Sequence, residues 1–349
     1  MTALARKEVA RVAMIMPVFN EERFLRETLA SVSAQTYPHG SLRLICVDNR
    51  SSDQSASIIE EWATTSGIPV NMLSSAERSI PKSLNVAIAH VRDDEIVIRL
   101  DSHTRYGADY VDSIVRAFAR HPYEVGCVGG ALVPEAGSSF SARLVATLYN
   151  NPMGLGGAPF RHAKRERMVR DVYLGAWRQG ILQRVGGFAE GWEANEDSEL
   201  AARVCEAGFG IVWLPLESEY MIKRGPAGTV VQWWRYGYWR AQTLARHPAE
   251  IGKRHIVAPL ATLLALLSLC SAGSRRALLV AYVVYAWLIF AKRARSTPVP
   301  VAIVSCLLFP GCQVAWTVGL LRGLLTIAGR RARPRGGVGR GRLLGGGKA

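Results

Sequence analysis

What most constrains this chain is a repeated pairing of two patterns: a short apolar run closed by a polar residue, then a segment of helical periodicity. Residues 11–19 form an apolar run ended by Asn20, and Glu21 and Glu22 open a helical pattern through Phe24, Leu25, Leu29 and Val32. Residues 42–47 run to Asp48 and precede a helical segment at 54–65. Residues 70–73 precede a helical segment at 80–91, and residues 95–100 run to Asp101. Unbroken apolar runs suit strands covered on both faces. The pattern predicts an α/β fold around a doubly wound, mostly parallel sheet. Ligands then sit beyond the carboxyl ends of the strands, where Asn20, Asp48 and Asp101 fall. No glycine-rich dinucleotide turn is present, so phosphates need another means of neutralisation.

Past residue 107 the pattern loosens. A helix is expected at 108–120, a strand at 124–128, and a glycine-rich stretch stands at 154–157. Residues 193–215 read as a helix and then a strand, with Glu196 and Asp197 at the helix start and Gly208 stopping it. Residues 256–272, 277–291 and 298–321 are three apolar stretches bracketed by arginines, close to the ~20 residues a membrane helix needs. They predict a multi-pass membrane region over 256–328, with Pro310-Gly311 placed to split the third stretch. Residues 1–250 form the expected globular domain, 228–255 an interfacial helix region, and 329–349 a disordered Gly/Arg-rich tail. The net charge of +15 points to a polyanionic partner. Its densest groups flank the apolar stretches, which favours anionic lipid over nucleic acid. Six scattered cysteines without C-x-x-C spacing suggest neither a zinc site nor a disulfide framework. The apolar stretch at 12–19 is too short for a signal peptide and runs straight into acidic residues.

Asp101, Ser102 and His103 follow the fourth run. A carboxylate at a strand end needs a positive or hydrogen-bonding partner. Residues i and i+2 on an extended segment point to one side, so Asp101 and His103 can share one divalent cation. Oxygen ligands suit Mg²⁺ or Mn²⁺, and an imidazole favours Mn²⁺. The alternative makes His103 a structural hydrogen-bonder, with Asp101 alone near the ion.

"MPVFNEERFLRETLASVSAQTYP" (16–38), "VDNRSSDQS" (47–55), "RLDSHTRY" (99–106) and "NEDSELAARV" (195–204) stand in the order and spacing of family 2 inverting glycosyltransferases with the GT-A fold, which the chain resembles. "RYGYWRAQTLARHP" (235–248) and the D-x-H are similar to the membrane-associated branch of bacterial exopolysaccharide assembly, the succinoglycan type of glucosyltransferase. The resemblance implies that Pro17, Asn20 and Glu21 line the nucleotide pocket, with Asp101 beside the nucleotide sugar and Asp48 holding base or ribose. It selects Asp197 as general base and leaves Glu196 to position the acceptor or the helix. Asn49 and Arg50 depart from the family's D-D-G-S pattern, and Arg50 is either near phosphates or a solvated turn residue. Gln232 and Arg235, in a Q-x-x-R-Y variant of a family motif, are candidates for acceptor or diphosphate contact. Trp177 either stacks on an acceptor sugar or packs.

The expected function is transfer of a hexose, with inversion, from a nucleotide-diphosphate sugar to a membrane-associated, polyprenyl-diphosphate-linked glycan. The enzyme would sit in the cell membrane with its catalytic domain in the cytoplasm. Rival readings are a polyprenyl-phosphate sugar synthase, a non-catalytic nucleotide-binding membrane scaffold and a basic nucleic-acid binder.

Overall fold

The apolar runs supply the middle of one mixed sheet in a computed structural model that describes residues 9–121, 124–135, 137–150, 165–293 and 298–332. Strand β1 (Val12–Val18) is covered on both sides, as its unalternated sequence requires. Val12, Met14 and Met16 meet Leu25, Leu29 and Val32 of helix α1 (Glu22–Ser33) on one face. Ala13 and Ile15 meet Leu84 and Ala87 on the other. The chain continues through β2 (Leu42–Asp48), α2 (Ser55–Thr65), β3 (Val70–Ser74), α3 (Ile80–Ile88) and β4 (Ile96–Arg99). It then forms β5 (Thr104–Tyr106), α4 (Tyr110–Arg120), β6 (Val125–Pro134), α5 (Phe140–Tyr149) and β7 (Arg167–Val169). There follow β8 (Tyr173–Arg178), α6 (Gln179–Val185), α7 (Glu196–Glu206), β9 (Gly210–Tyr220) and α8 (Pro226–Arg246). Helices α9 (Lys253–Leu267), α10 (Ala272–Arg293) and α11 (Val299–Ala332) close the described chain.

The strand order is β3-β2-β1-β4-β8-β6-β9-β5, with β7 against β9. Strands β1 to β4 pair in parallel, as their helical crossovers predict. Beyond β4 the mostly parallel expectation is corrected. Strand β8 is antiparallel to both β4 and β6, β5 and β7 are antiparallel to β9, and only β6–β9 is parallel. For β5 the cause is connection length. A parallel neighbour needs a crossover of a dozen or more residues, on a helix as a rule. The four residues between β4 and β5 cannot provide one, so β5 crosses the sheet's end to β9.

The multi-pass expectation is overturned. Among the described residues one helix is long and apolar enough to cross a membrane, Val299–Arg330, with mean hydropathy 1.8. Helix α9 has 15 residues, or roughly 22 Å, against a hydrocarbon core of about 30 Å. Nor does Pro310-Gly311 split the third stretch, for α11 runs through Pro310 as one helix. Proline lacks the N–H that would reach the carbonyl four residues back. That carbonyl belongs to Cys306, and the Tyr282 hydroxyl of α10 donates to it instead. Residues 329–332, expected in a disordered tail, continue α11. The remaining tail and the stretch 154–157 lie outside the described residues.

Helix α8 lies between α11 and the sheet domain. In the expected interfacial region, some of its aromatic side chains turn inward: Trp233 packs with Tyr149 and Tyr236, and Trp239 with Trp192.

Candidate active site

Strand β4 carries a charge through the core. Arg99 is 7% exposed, and its guanidinium lies 3.0 Å from Glu196 Oε1 and 3.5 Å from Asp101 Oδ1. The partner that Asp101 requires is therefore an arginine two residues earlier in the chain. Tyr173 completes the set, donating its hydroxyl to Asp101 Oδ2 at 2.9 Å. Burial alone would raise the pKa of Asp101, but the charges of Arg99 and His103 and the Tyr173 hydroxyl hold it below the ordinary carboxylate range. Burial and the nearby Asp101 charge push Tyr173 well up, which keeps it a donor.

Two pieces of backbone set these side chains. A bulge in β8 lies between the pairs Val128↔Ala176 and Gly130↔Tyr173, where three steps of β8 oppose two of β6. Leu174 within it has φ +48°, a conformation that costs an L-residue about 1–2 kcal/mol. The bulge turns Tyr173 toward Asp101, a use to which bulges beside sites are often put. The D-S-H turn is braced by α1: Thr28 Oγ1 donates to Ser102 O at 3.1 Å and accepts from Thr104 N at 3.2 Å.

His103 Nδ1 is 3.2 Å from Glu21 Oε1, yet out of line for a hydrogen bond, and the buried Glu21 Oε2 has no partner. Lys223, just beyond β9, donates to Glu21. Burial would raise the pKa of Glu21, but His103 and Lys223 hold it below the ordinary value. The ring of His103 meets the edge of Tyr220 at 5.0 Å.

Opposite stands the tip of α7. Glu196 is committed to Arg99, while Asp197 is only half-buried and accepts from Ser198 N at 2.8 Å. Pro17, Glu21, Asp101, His103, Glu196, Asp197, Gln232 and Arg235 all line one cleft of about 740 Å³. That volume lies in the range of small-molecule sites. Helices α8, α9 and α11 supply the outer wall through residues such as Trp233, Ala258 and Trp316. Arg235 Nη2 is 3.4 Å from Glu193 Oε2.

Three expected residues take other places. Trp177 is 2% exposed, edge-on to Phe188 in the core, so its indole has no face left for a sugar; the packing alternative fits it. Asp48 accepts from Ser51 N and Oγ, and Asn20 Oδ1 accepts from Ser52 N at 2.8 Å. Asn20 stitches the loop after β1 to the loop after β2, Asp48 closes the turn of the second loop, and neither lines the cleft, whereas Asn49 does. Arg50 stands at φ +59° in that turn.

Sequence reading missed Arg99, Tyr173, Lys223 and Arg240. An arginine inside an apolar run, two positions before a strand-end acid, was the available signal for the first. Tyr173 and Arg240 carry no such mark.

Among the described residues no three His, Cys, Asp or Glu side chains surround one point. An all-protein metal cage is therefore not formed by them. A carboxylate and an imidazole on one wall still suit a hard divalent cation whose other ligands are substrate phosphates and water.

Residues 13–164 match the model of the family described as Glycosyl transferase family 2. The chain is a glycosyltransferase with a GT-A-like fold, and over those residues it is similar to that family. This glycosyltransferase is 26% identical over 332 residues to a succinoglycan biosynthesis protein, ExoA, of Rhizobium meliloti, covering 91% of this chain and 96% of that one. It is 22% identical to a dolichyl N-acetyl-α-D-glucosaminyl phosphate diacetamidodideoxyglucuronosyltransferase of Methanococcus voltae, over 65% of this chain and 71% of the relative. Its fold resembles a Pyrobaculum calidifontis mannosyltransferase solved with GDP-Man and Mn²⁺, with TM-score 0.56 and 20% identity, covering 92% of this chain and 88% of that one. The likeness extends to S. aureus TarS 1–349 solved with UDP-GlcNAc, with TM-score 0.51 and 14% identity over 89% and 90% of the two chains.

Proposed function

We propose that this glycosyltransferase moves a hexose, with inversion, from a nucleotide-diphosphate sugar to a membrane-associated, polyprenyl-diphosphate-linked glycan. The observation that carries the proposal is the shared cleft, with Asp101 and His103 on the sheet wall and Asp197 on the α7 wall. Its outer wall of apolar helices and the likeness to a succinoglycan biosynthesis protein support a lipid-linked glycan of exopolysaccharide type as acceptor.

Asp101 and His103 are the residues that would hold Mn²⁺ or Mg²⁺. Such a cation, when bound, neutralises charge developing on a departing diphosphate. Arg99 and Tyr173 keep Asp101 ionised and oriented for that task. Of the two tip acids, Glu196 has its charge engaged by Arg99, which leaves Asp197 to take the proton from the acceptor hydroxyl. A single base suffices for one in-line displacement, and the product sugar carries the opposite anomeric configuration. Pro17 and Glu21 would line the nucleotide side, and Gln232 and Arg235 the acceptor and diphosphate side.

The full-length chain, in detergent or bilayer, is offered a panel of nucleotide-diphosphate hexoses with a polyprenyl-diphosphate glycan, in Mn²⁺, Mg²⁺ or chelator. Transfer is expected with at least one donor, dependent on the cation. Asp197→Asn should lower kcat by about 10²–10⁴-fold. Unchanged turnover in that variant, or indifference to chelator, overturns the proposal.

A further inference from the structure

Helix α7 begins at a residue in the left-handed region. Asn195 has φ +59°, an angle that costs most L-residues about 1–2 kcal/mol and that asparagine tolerates when its side chain is hydrogen-bonded nearby. The next two residues are Glu196 and Asp197, so the direction of both acids follows from this one backbone angle. Its own side chain does not cap α7. It is spent on α8 instead: Asn195 Nδ2 donates to Tyr236 O at 3.1 Å, and Asn195 Oδ1 accepts from Arg240 Nη2 at 3.3 Å. The same guanidinium donates to Ser198 Oγ at 3.2 Å, and Ser198 donates on to Asp171. Residues 195 and 198 are thus gripped on either side of the two acids.

The grip continues along α8. Thr243 Oγ1 accepts from Trp192 Nε1 at 3.0 Å, and His247 lies 2.7 Å from Glu206 and 3.4 Å from the buried Glu199. Positions 236, 240, 243 and 247 follow the i, i+4, i+7, i+11 spacing of one helix face. The opposite face rests on α11 with no cushion of side chains. A Cβ at Gly237 would lie 2.0 Å from Trp316 O, one at Gly319 2.1 Å from Trp234 O, and one at Gly323 2.6 Å from Tyr238 O. Backbone touches backbone at three successive places, so any shift of α11 must move α8.

We infer that α8 is the positioning element for the catalytic acids, acting through Asn195 and Arg240, and that α11 holds α8 in place for this task. The long apolar helix is then a working part of the active site as well as an apolar surface. The inference rests on Asp197 being the base proposed above. Asn195 and Arg240 also line the cleft, so the split between kcat and donor KM is what separates action through the tip of α7 from direct contact with substrate.

Four full-length variants test this: Asn195→Gly, Arg240→Met, Arg240→Lys and Gly319→Leu. Each is assayed for transfer kcat, donor KM and nucleoside diphosphate binding. Glycine adopts the angle at 195 freely, so Asn195→Gly removes the grip without adding strain. Asn195→Gly, Arg240→Met and Gly319→Leu should each lower kcat by about 10–100-fold, the scale of a misplacement near 1 Å. Donor KM and nucleotide binding should stay within about twofold, and Arg240→Lys should recover part of the loss. Because Asn195 and Arg240 work on one tip, the double variant should fall no more than about threefold below the worse single.

Wild-type kcat in Asn195→Gly or Arg240→Met, a change in KM instead of kcat, or losses that multiply in the double variant overturn the grip. Wild-type kcat in Gly319→Leu overturns the role of α11. If Arg240→Met binds no nucleotide because it misfolds, Asn195→Gly decides alone. The two readings separate cleanly. Full activity in Asp197→Asn removes the base itself, whereas an inactive Asp197→Asn beside fully active Asn195→Gly and Arg240→Met removes only the positioning role.

Discussion

Arg99 is the guanidinium that meets two buried carboxylates, one on each wall of the cleft. Removing one member of a buried ionic set costs about 3–5 kcal/mol, because the charges left behind stay buried. Arg99→Met is therefore expected to lower the thermal midpoint sharply and to abolish transfer, both read on the purified full-length chain. Burial lifts the pKa of Glu196 above its ordinary 4.5, with Arg99 opposing and Asp197 adding to the rise. An acid with a raised folded pKa binds its proton more tightly in the folded state. Its contribution thus falls as pH climbs from about 4.5 through the raised value. Glu196→Gln lacks that titration, so the variant's thermal midpoint should gain on the wild type as pH rises over this window. A gap that shrinks with rising pH would refute the assignment. At this scale the sequence was partly legible. Asp101, His103, Glu196 and Asp197 could be named because strand ends and helix starts are where chemistry gathers. Arg99 stood in plain view inside an apolar run, but its two partners are 2 and 97 positions away, and only folding brings the second one near.

Among the elements, the parallel half was readable because each crossover leaves two local signals, an apolar run and a helical period. The antiparallel half leaves neither. Strand β5 has three residues, and β8 owes its pairing to a bulge that no periodicity announces. Trp177 was ambiguous because β8 is buried on both faces, so no alternation marks which of its side chains reach the cleft. The packing around that irregularity is tight: a Cβ at Gly130 would lie 2.4 Å from Leu216 O. Backbone cannot yield as a side-chain end can, so Gly130→Ala should destabilise the fold by about 1–3 kcal/mol. Thermal unfolding measures this, and an unchanged midpoint would mean that β6 and β9 can separate at no cost.

For the molecule as a whole, hydropathy located the apolar C-terminal region but overestimated its crossings. Composition cannot tell a helix that spans from one that is short or packed on a neighbour. On α11, Leu307 and Leu325 are each 66% exposed. Lysine near the centre of a membrane helix costs about 3 kcal/mol. Leu307→Lys should thus reduce co-flotation of the full-length chain with liposomes more than Leu325→Lys, which lies near the helix end where lysine reaches the interface. Thermal unfolding in detergent should stay near wild type. Flotation equal to wild type would exclude α11 as the attachment.

The bond from Tyr282 to the Cys306 carbonyl gives α10 an influence that its distance from the cleft conceals. Without that hydroxyl, the gap opposite Pro310 becomes a free hinge in the longest helix. Its far half, which carries the glycines seated on α8, could then swing. A phenylalanine at 282 changes one oxygen atom in a helix none of whose described side chains lines the cleft. Its effect should surface as slower turnover, so an edit aimed at solubility there could silence the enzyme from a distance.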